Sequence, residues 1–241
     1  MGAPDTVKHP ERIIIDLRPA LAEQAAEWIA ESIAGVVAER GRCAIALSGG
    51  TTPRAVYTRL ARHHTEVPWP DVDVYFGDER CVPPHHPESN FQMADQLLLR
   101  QVPIPRAQIH RMRAEWPDDE AAAREYAEIL SDELDVLLLG MGVDGHTASL
   151  FPHAPSLEER DRRVVAVDSP VPPPRRLTIT PPVIARARRI AVIVAGAEKA
   201  PTVERALEGR FDPHVLPVQF ALRGVWFVDR AAAALLQSVT A

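Results

Sequence analysis

Leu137-Leu138-Leu139-Gly140-Met141-Gly142-Val143-Asp144-Gly145-His146-Thr147-Ala148-Ser149-Leu150-Phe151-Pro152 runs from an apolar stretch into a turn broken by three glycines. An apolar run this short, Val136 to Leu139, bounded by glycine, reads as a strand buried on both faces. A strand that opens into a glycine-rich turn places polar side chains at the carboxyl edge of a sheet. Open α/β folds bind their ligands there. Asp144 and His146 follow two residues apart, where a short helical turn is expected to start. The positive end of a helix disfavours imidazolium, so a neutral ring able to take a proton from water is expected at His146. The plainer alternative is that Asp144 caps the turn and His146 packs.

Outward from this loop, apolar strands alternate with amphipathic helices. Upstream lie Ile13–Ile15, read as an edge strand, and a helix from Ala20 to Glu39 that Gly41 ends. A strand from Ala44 to Leu47 precedes a helix opened by Pro53, which fits a helix's first position. Val72 to Phe76 is the next strand, and Ser89-Asn90 is placed to cap a helix from Phe91 to Arg100. A short strand over Ile109–Met112 and an acidic helix from Asp118 to about Leu134 complete this half. Downstream the pattern gives strands at Val164–Val167, Leu177–Thr180, Ile190–Val194 and Val225–Val228. Helices are expected near Val183–Arg188, Glu198–Leu207 and Ala231–Leu236, and 218–222 fits either type. Such alternation predicts an α/β fold, a mostly parallel sheet with helices on both faces, in one domain over 1–241. The stretches 82–87 and 169–174 read as long surface loops of the kind that often cover sites.

Composition bounds what this fold does. At 46% hydrophobic the 241-residue chain can bury a proper core, built mostly from aliphatic residues because aromatics are only 5%. Twenty-seven basic against 33 acidic residues leave a net charge of −6, which argues against nucleic acid or an anionic membrane as main partner. An anionic ligand would need a local basic cluster. Cys43 and Cys81 are the two cysteines and form no CxxC pair, so neither a disulfide framework nor a zinc site is expected. The polar, proline-interrupted start is not expected to act as a signal peptide, and no apolar run is long enough to span a bilayer. A cytoplasmic location is expected.

Four further clusters carry possible chemistry. Ser48-Gly49-Gly50-Thr51-Thr52-Pro53, between a strand and a helix, offers backbone N–H groups and a helix N-terminus to an anion. It lacks the Gly-Lys-Ser/Thr of a nucleotide loop. Gly77-Asp78-Glu79-Arg80-Cys81-Val82-Pro83 again follows a strand. Arg80 suits a phosphate or a carbonyl, and Asp78 a sugar hydroxyl or Arg80 itself, unless the charges form an ordinary surface pair. Gly196-Ala197-Glu198-Lys199-Ala200 puts Lys199 in a helix's first turn, where the dipole disfavours a cation unless an anion binds there. Arg175-Arg176 is the weakest of the four. His63, His64, His85, His86, His153 and His214 read as solvated loop residues. Gly140-x-Gly142-x-x-Gly145 matches a dinucleotide fingerprint by letters only, with no ribose-binding acid to support it.

Taken in order, these motifs resemble the 6-phosphogluconolactonases, which share a superfamily with glucosamine-6-phosphate isomerase (deaminase). The resemblance runs from about Ile45 to Val228. It implies a single Rossmann-like α/β domain, no cofactor, and hydrolysis of 6-phospho-D-glucono-1,5-lactone in the oxidative pentose phosphate pathway. The small-molecule sugar-phosphate lactone is then the partner, with the chain a monomer or weak homodimer. The family's catalytic histidine falls on His146, with Asp144 or Asp78 orienting the imidazole or the substrate. Phosphate ligands fall on Ser48, Gly49, Gly50, Thr51, Arg80 and Lys199, and on Arg176 in a similar Arg-Leu-Thr segment. An amide of a glycine loop is expected to meet the oxyanion. The isomerase pattern instead reads Gly-His-Ile-Ala-Phe-Asn-Glu; here no carboxylate follows His146 until Glu158, which favours the lactonase reading.

Overall fold

The computed structural model describes residues 10–63 and 66–237, so the expectation for His64 lies outside the described residues. Its main sheet has six strands in the order β1-β9-β8-β5-β2-β3. They are β1 (Arg12–Asp16), β2 (Cys43–Leu47), β3 (Val72–Phe76), β5 (Val136–Leu139), β8 (Arg189–Val194) and β9 (Val225–Asp229). All their pairings are parallel. β1 lies at one edge, as its short β-branched run predicts.

Successive side chains of each strand feed opposite faces. Leu137 and Leu139 join Ala46, Val192 and Trp226 in the core that faces α4 (Asp119–Ile129), α5 (Pro181–Arg186) and α6 (Ala200–Leu207). Val136 and Leu138 join Ile45, Ile193 and Phe227 in the core that faces α1 (Arg18–Arg40) and α2 (Thr52–His63). Burial on both faces is why these strands are continuously apolar. Gly41 ends α1 in the left-handed region at φ 80°, its N–H donating to Val37 O.

A second, antiparallel sheet, order β4-β7-β6, was absent from the sequence reading. It comprises β4 (Asp78–Arg80), β6 (Val164–Asp168) and β7 (Arg175–Ile179). The segment Asp78–Arg80, read as a turn, is thus a strand, held by β7 across a long sequence separation. The loop 169–174 closes the β6–β7 hairpin, with Ser169 N–H donating to Pro174 O at 2.6 Å.

Local boundaries differ elsewhere. Ser89 caps α3 (Asn90–Ala94), accepting from Gln92 N–H, but the helix widens to a π turn over Asp95–Leu99. Residues Ile109–Met112 make one isolated bridge, Val74 to Ile109, and no strand. Helix α4 is capped by Asp118 and stops at Ile129. The alanine-rich 231–236 forms turns, because Asp229 draws Ala232 N–H to its carboxylate at 2.8 Å. No helix among the described residues is long and apolar enough to cross a membrane.

Candidate active site

Strands β2 and β5 are neighbours whose onward connections run to opposite sides of the sheet: β2 leads to β3, β5 to β8 and β9. Such a switch point opens a crevice beyond the carboxyl ends of the strands. A cleft of about 310 Å³ lies there. Ser48, Gly49, Gly50 and Thr51 line it, as do Asp78, Arg80, His146, Arg176 and Lys199. The fold therefore gathers motifs spread over some 150 residues of chain around one space.

His146 stands on the loop after β5, and no helical turn begins there. Gly145 (φ 88°) and Ala148 (φ 48°) take the left-handed region, which interrupts any right-handed turn. The dipole argument for a neutral ring therefore does not apply, and a carboxylate does the orienting instead. Asp144 Oδ1 accepts from His146 Nδ1 at 2.6 Å and from the His146 backbone N–H at 3.1 Å. Burial works against ionising Asp144, yet the hydrogen bond and charge of His146 hold its carboxyl below the usual range. A carboxylate only accepts, so Nδ1 carries the proton, and the lone pair of a neutral ring sits on Nε2. No residue among those described hydrogen-bonds Nε2.

The loop admits this pair only because position 142 lacks a side chain. A Cβ there would fall on Cε1 and Nδ1 of the imidazole and lie 2.6 Å from Asp144 Oδ1. Two loop amides are engaged internally: Gly142 N–H donates to His146 O (2.9 Å) and Gly145 N–H to Gly142 O (3.1 Å). Thr202 of α6 braces the loop through Val143 O at 2.6 Å. Phe151 seats the imidazole, with ring centroids 5.0 Å apart.

Ser48–Thr51 carry the chain from β2 into α2. Gly50 takes φ 96°, a conformation that favours glycine. No protein acceptor among the described residues takes the N–H of Gly49, Gly50 or Thr51. These amides and the N-terminus of α2 bound the cleft, an arrangement that attracts anions.

The opposite wall is cationic. Arg80 and Arg176 are cross-strand partners in the β4–β7 ladder, and like charges directly opposite destabilise a sheet. The Arg176 guanidinium is buried, which pushes its pKa down, and it lies 5.9 Å from the centre of the Phe151 ring. Its Nε donates to Pro173 O at 3.3 Å. Arg80 donates to Glu88 O, and its Nε is buried without a partner. On the parallel-sheet side, Lys199 lies in the 3-10 turn between β8 and α6, and burial lowers its pKa as well. Among the described residues these three make no ion pair with a carboxylate. A protein of net charge −6 thus concentrates unpaired, desolvated positive charge in one cleft.

Asp78 and Glu79 are buried and form no surface pair. Asp78 accepts from Ser149 Oγ (2.6 Å) and Asn90 Nδ2 (3.1 Å) and makes no hydrogen bond with His146. The carboxylate beside the histidine is Asp144. Glu79 accepts from Arg80, Asn90 and Phe91 N–H at 2.7 to 2.8 Å and from Ser89 Oγ at 2.9 Å, while burial raises its pKa. It seats α3 so that Asn90 reaches Asp78. Sequence reasoning missed Asn90, Ser149 and Phe151. The available signal was Ser149 and Phe151 lying inside the focal motif. Among the histidines read as solvated, His214 faces Glu158 at 3.4 Å, and His63 faces Glu23. Cys43 and Cys81 are free thiols, both pushed up to about 12 by burial. No group of three or more His, Cys, Asp or Glu among the described residues is arranged to hold a metal ion.

A switch-point cleft bounded by an amide turn and a cationic wall is suited to an anionic ligand. Residues 17–227 match the family described as glucosamine-6-phosphate isomerases/6-phosphogluconolactonase. The chain belongs to that family. It is 39% identical over 236 residues to the 6-phosphogluconolactonase of Synechocystis sp., covering 92% of this chain and 97% of that one. It is 40% identical over 235 residues to the 6-phosphogluconolactonase of Mycobacterium tuberculosis, covering 90% and 95%. The solved structure of 6-phosphogluconolactonase from Trypanosoma brucei superposes with a TM-score of 0.83 at 27% identity, over 95% of this chain and all of that one.

Proposed function

We propose that this chain hydrolyses 6-phospho-D-glucono-1,5-lactone to 6-phospho-D-gluconate, the lactone step of the oxidative pentose phosphate pathway, with His146 as general base. The observation that carries the reading is the Asp144–His146 pair, 2.6 Å apart, in a cleft that also holds free amides and three unpaired cations. The phosphoryl group is received by the N–H groups of Gly49, Gly50 and Thr51, the N-terminus of α2, Arg80, Arg176 and Lys199. His146 Nε2 takes a proton from the water that attacks the lactone carbonyl carbon. The tetrahedral intermediate then breaks its bond to the ring oxygen, and the imidazolium returns the proton to that oxygen. Asp144 keeps the ring in the tautomer that can act and stabilises the imidazolium between the two transfers. General-base help of this kind gives on the order of 10²–10⁴ in rate, enough for a lactone, which is already an activated ester. Asp78 presents a fixed carboxylate to a substrate hydroxyl. Because Gly142 and Gly145 N–H are engaged within their loop, neither is the oxyanion donor.

The runner-up, glucosamine-6-phosphate isomerase (deaminase), needs an acid close to the histidine to open the sugar ring. Glu158, the first glutamate or aspartate after His146, is exposed, pairs with Arg160 and His214, and does not line the cleft. Purified protein mixed with the lactone should release acid well above the spontaneous rate and liberate no ammonia from glucosamine 6-phosphate. Ammonia release, or lactone decay at the buffer rate, overturns the assignment.

A further inference from the structure

The cleft exists because two neighbouring strands part, and parting leaves backbone groups without a ladder. β2 pairs with β5 only as far as Ala46–Leu137, whereas its pairing with β3 continues to Leu47–Phe76. Leu47 O still accepts from Gly77 N–H at 2.9 Å, so Leu47 turns its polar groups toward β3. Alternation along a strand then points the N–H and C=O of Ser48 toward the gap that β5 has left. Ser48 is buried, and unpaired backbone groups there would be costly. One atom meets both. The phenol oxygen of Tyr57 accepts from Ser48 N–H at 2.9 Å and donates to Ser48 O at 2.7 Å.

Tyr57 projects from α2, the helix that the turn leads into, and is fully buried. A second tyrosine repeats the device from the other face of the sheet. Tyr126 of α4, equally buried, accepts from Phe76 N–H at 2.8 Å and donates to Phe76 O at 3.2 Å. β3 is the edge strand, so this phenol covers an outward-facing rung beside the His110 N–H to Val74 O bond. The two phenols are matched in chemistry and burial and differ in what they adjoin. Ser48 is followed at once by the three free amides. Phe76 is followed by Gly77 and Asp78, and the Asp78 carboxylate is independently held by Ser149 and Asn90.

We propose that Tyr57 is a positioning residue for substrate binding: its phenol replaces the missing β5 rung at Ser48 and so sets the turn whose amides receive the phosphoryl group. The proposal rests on reading that turn as the phosphoryl cradle. Tyr126 supplies the control, a phenol in the same bonding pattern that does not hold the cradle.

The test compares Tyr57→Phe with Tyr126→Phe in the full chain. Each keeps its ring and loses the two bonds of its hydroxyl, so both variants should melt earlier than the wild type. Tyr57→Phe is expected to raise KM for the lactone by about tenfold, and to weaken inhibition by inorganic phosphate to match, with kcat within about twofold. Tyr126→Phe should leave KM within about twofold of the wild type. Hydrogen exchange at the Ser48 amide, which the phenol holds, should quicken in Tyr57→Phe and not in Tyr126→Phe. An unchanged KM in Tyr57→Phe, or an equal rise in both variants, overturns the proposal, and so does unchanged exchange at Ser48. The exchange measurement needs no ligand. A wild-type protein that binds no phosphoryl compound would therefore sink the cradle reading by itself, while the exchange result still judges the phenol.

Discussion

The two walls of the cleft are made by different means. The wall from the parallel sheet presents mostly backbone: free amides at Gly49, Gly50 and Thr51, a helix N-terminus, one imidazole placed by a glycine loop, and Lys199 in the turn after β8. The wall from the antiparallel sheet presents side chains: Arg80 directly opposite Arg176, with Asp78 beside them on the same strand. Backbone donors are fixed by the fold and carry only partial charge. Guanidinium groups carry full charge, and setting two against each other costs stability until an anion arrives. One wall therefore supplies shape, the reacting base and a single cation, and the other supplies two opposed guanidinium groups. The cost of holding the charge is borne by the smaller sheet.

Breaking each wall should produce distinct losses. The largest is His146→Ala, expected to lower kcat by roughly 10²–10⁴ while 6-phosphogluconate binding, measured by calorimetry, stays near the wild-type value. Unchanged turnover would remove the imidazole from the chemistry. Arg176→Met should act the opposite way, raising KM by roughly ten- to a hundredfold, as loss of a charged hydrogen bond would. Because the substitution also ends the repulsion across the β4–β7 ladder, its melting temperature should hold or rise. A fall in both affinity and melting temperature would mean that the guanidinium is structural. Smallest is Glu79→Gln, which turns an acceptor toward four donors into a group that is half donor. It should cost about 1–3 kcal/mol in chemical denaturation, with KM rising only as far as Asn90 loosens from Asp78.

The parallel wall was legible in the chain because its parts are local. Each strand, glycine turn and helix start is contiguous, and periodicity alone separates them. The antiparallel wall was not, because Asp78-Glu79-Arg80 has no strand propensity and takes that form only through pairing with 176–178. Charged residues in series read as surface, yet burial of Asp78 and Glu79 is supported by hydrogen bonds from Ser149, Asn90, Ser89 and the α3 amides. The focal loop was half legible. Asp144 and His146 stood out by composition, but the helical turn assigned to them required right-handed φ at Gly145 and Ala148. The alanine-rich 231–236 failed for a related reason: tertiary hydrogen bonding to Asp229 outweighed helix propensity.

The glycines of the focal loop also differ in how freely the chain can drift at each. At Gly140 the nearest obstacle to a new methyl group is Ile193 O, 4.0 Å away, so small residues are tolerable there. Gly145 is held twice, by its backbone angle of φ 88° and by Leu216, whose Cδ2 would lie 2.6 Å from an added Cβ. Gly142 has none of the latitude of Gly140, since an added Cβ would lie 2.2 Å from two atoms of the imidazole. Descent with the active pair intact must therefore leave position 142 invariant, and a lineage that fills it has given up the histidine's seat.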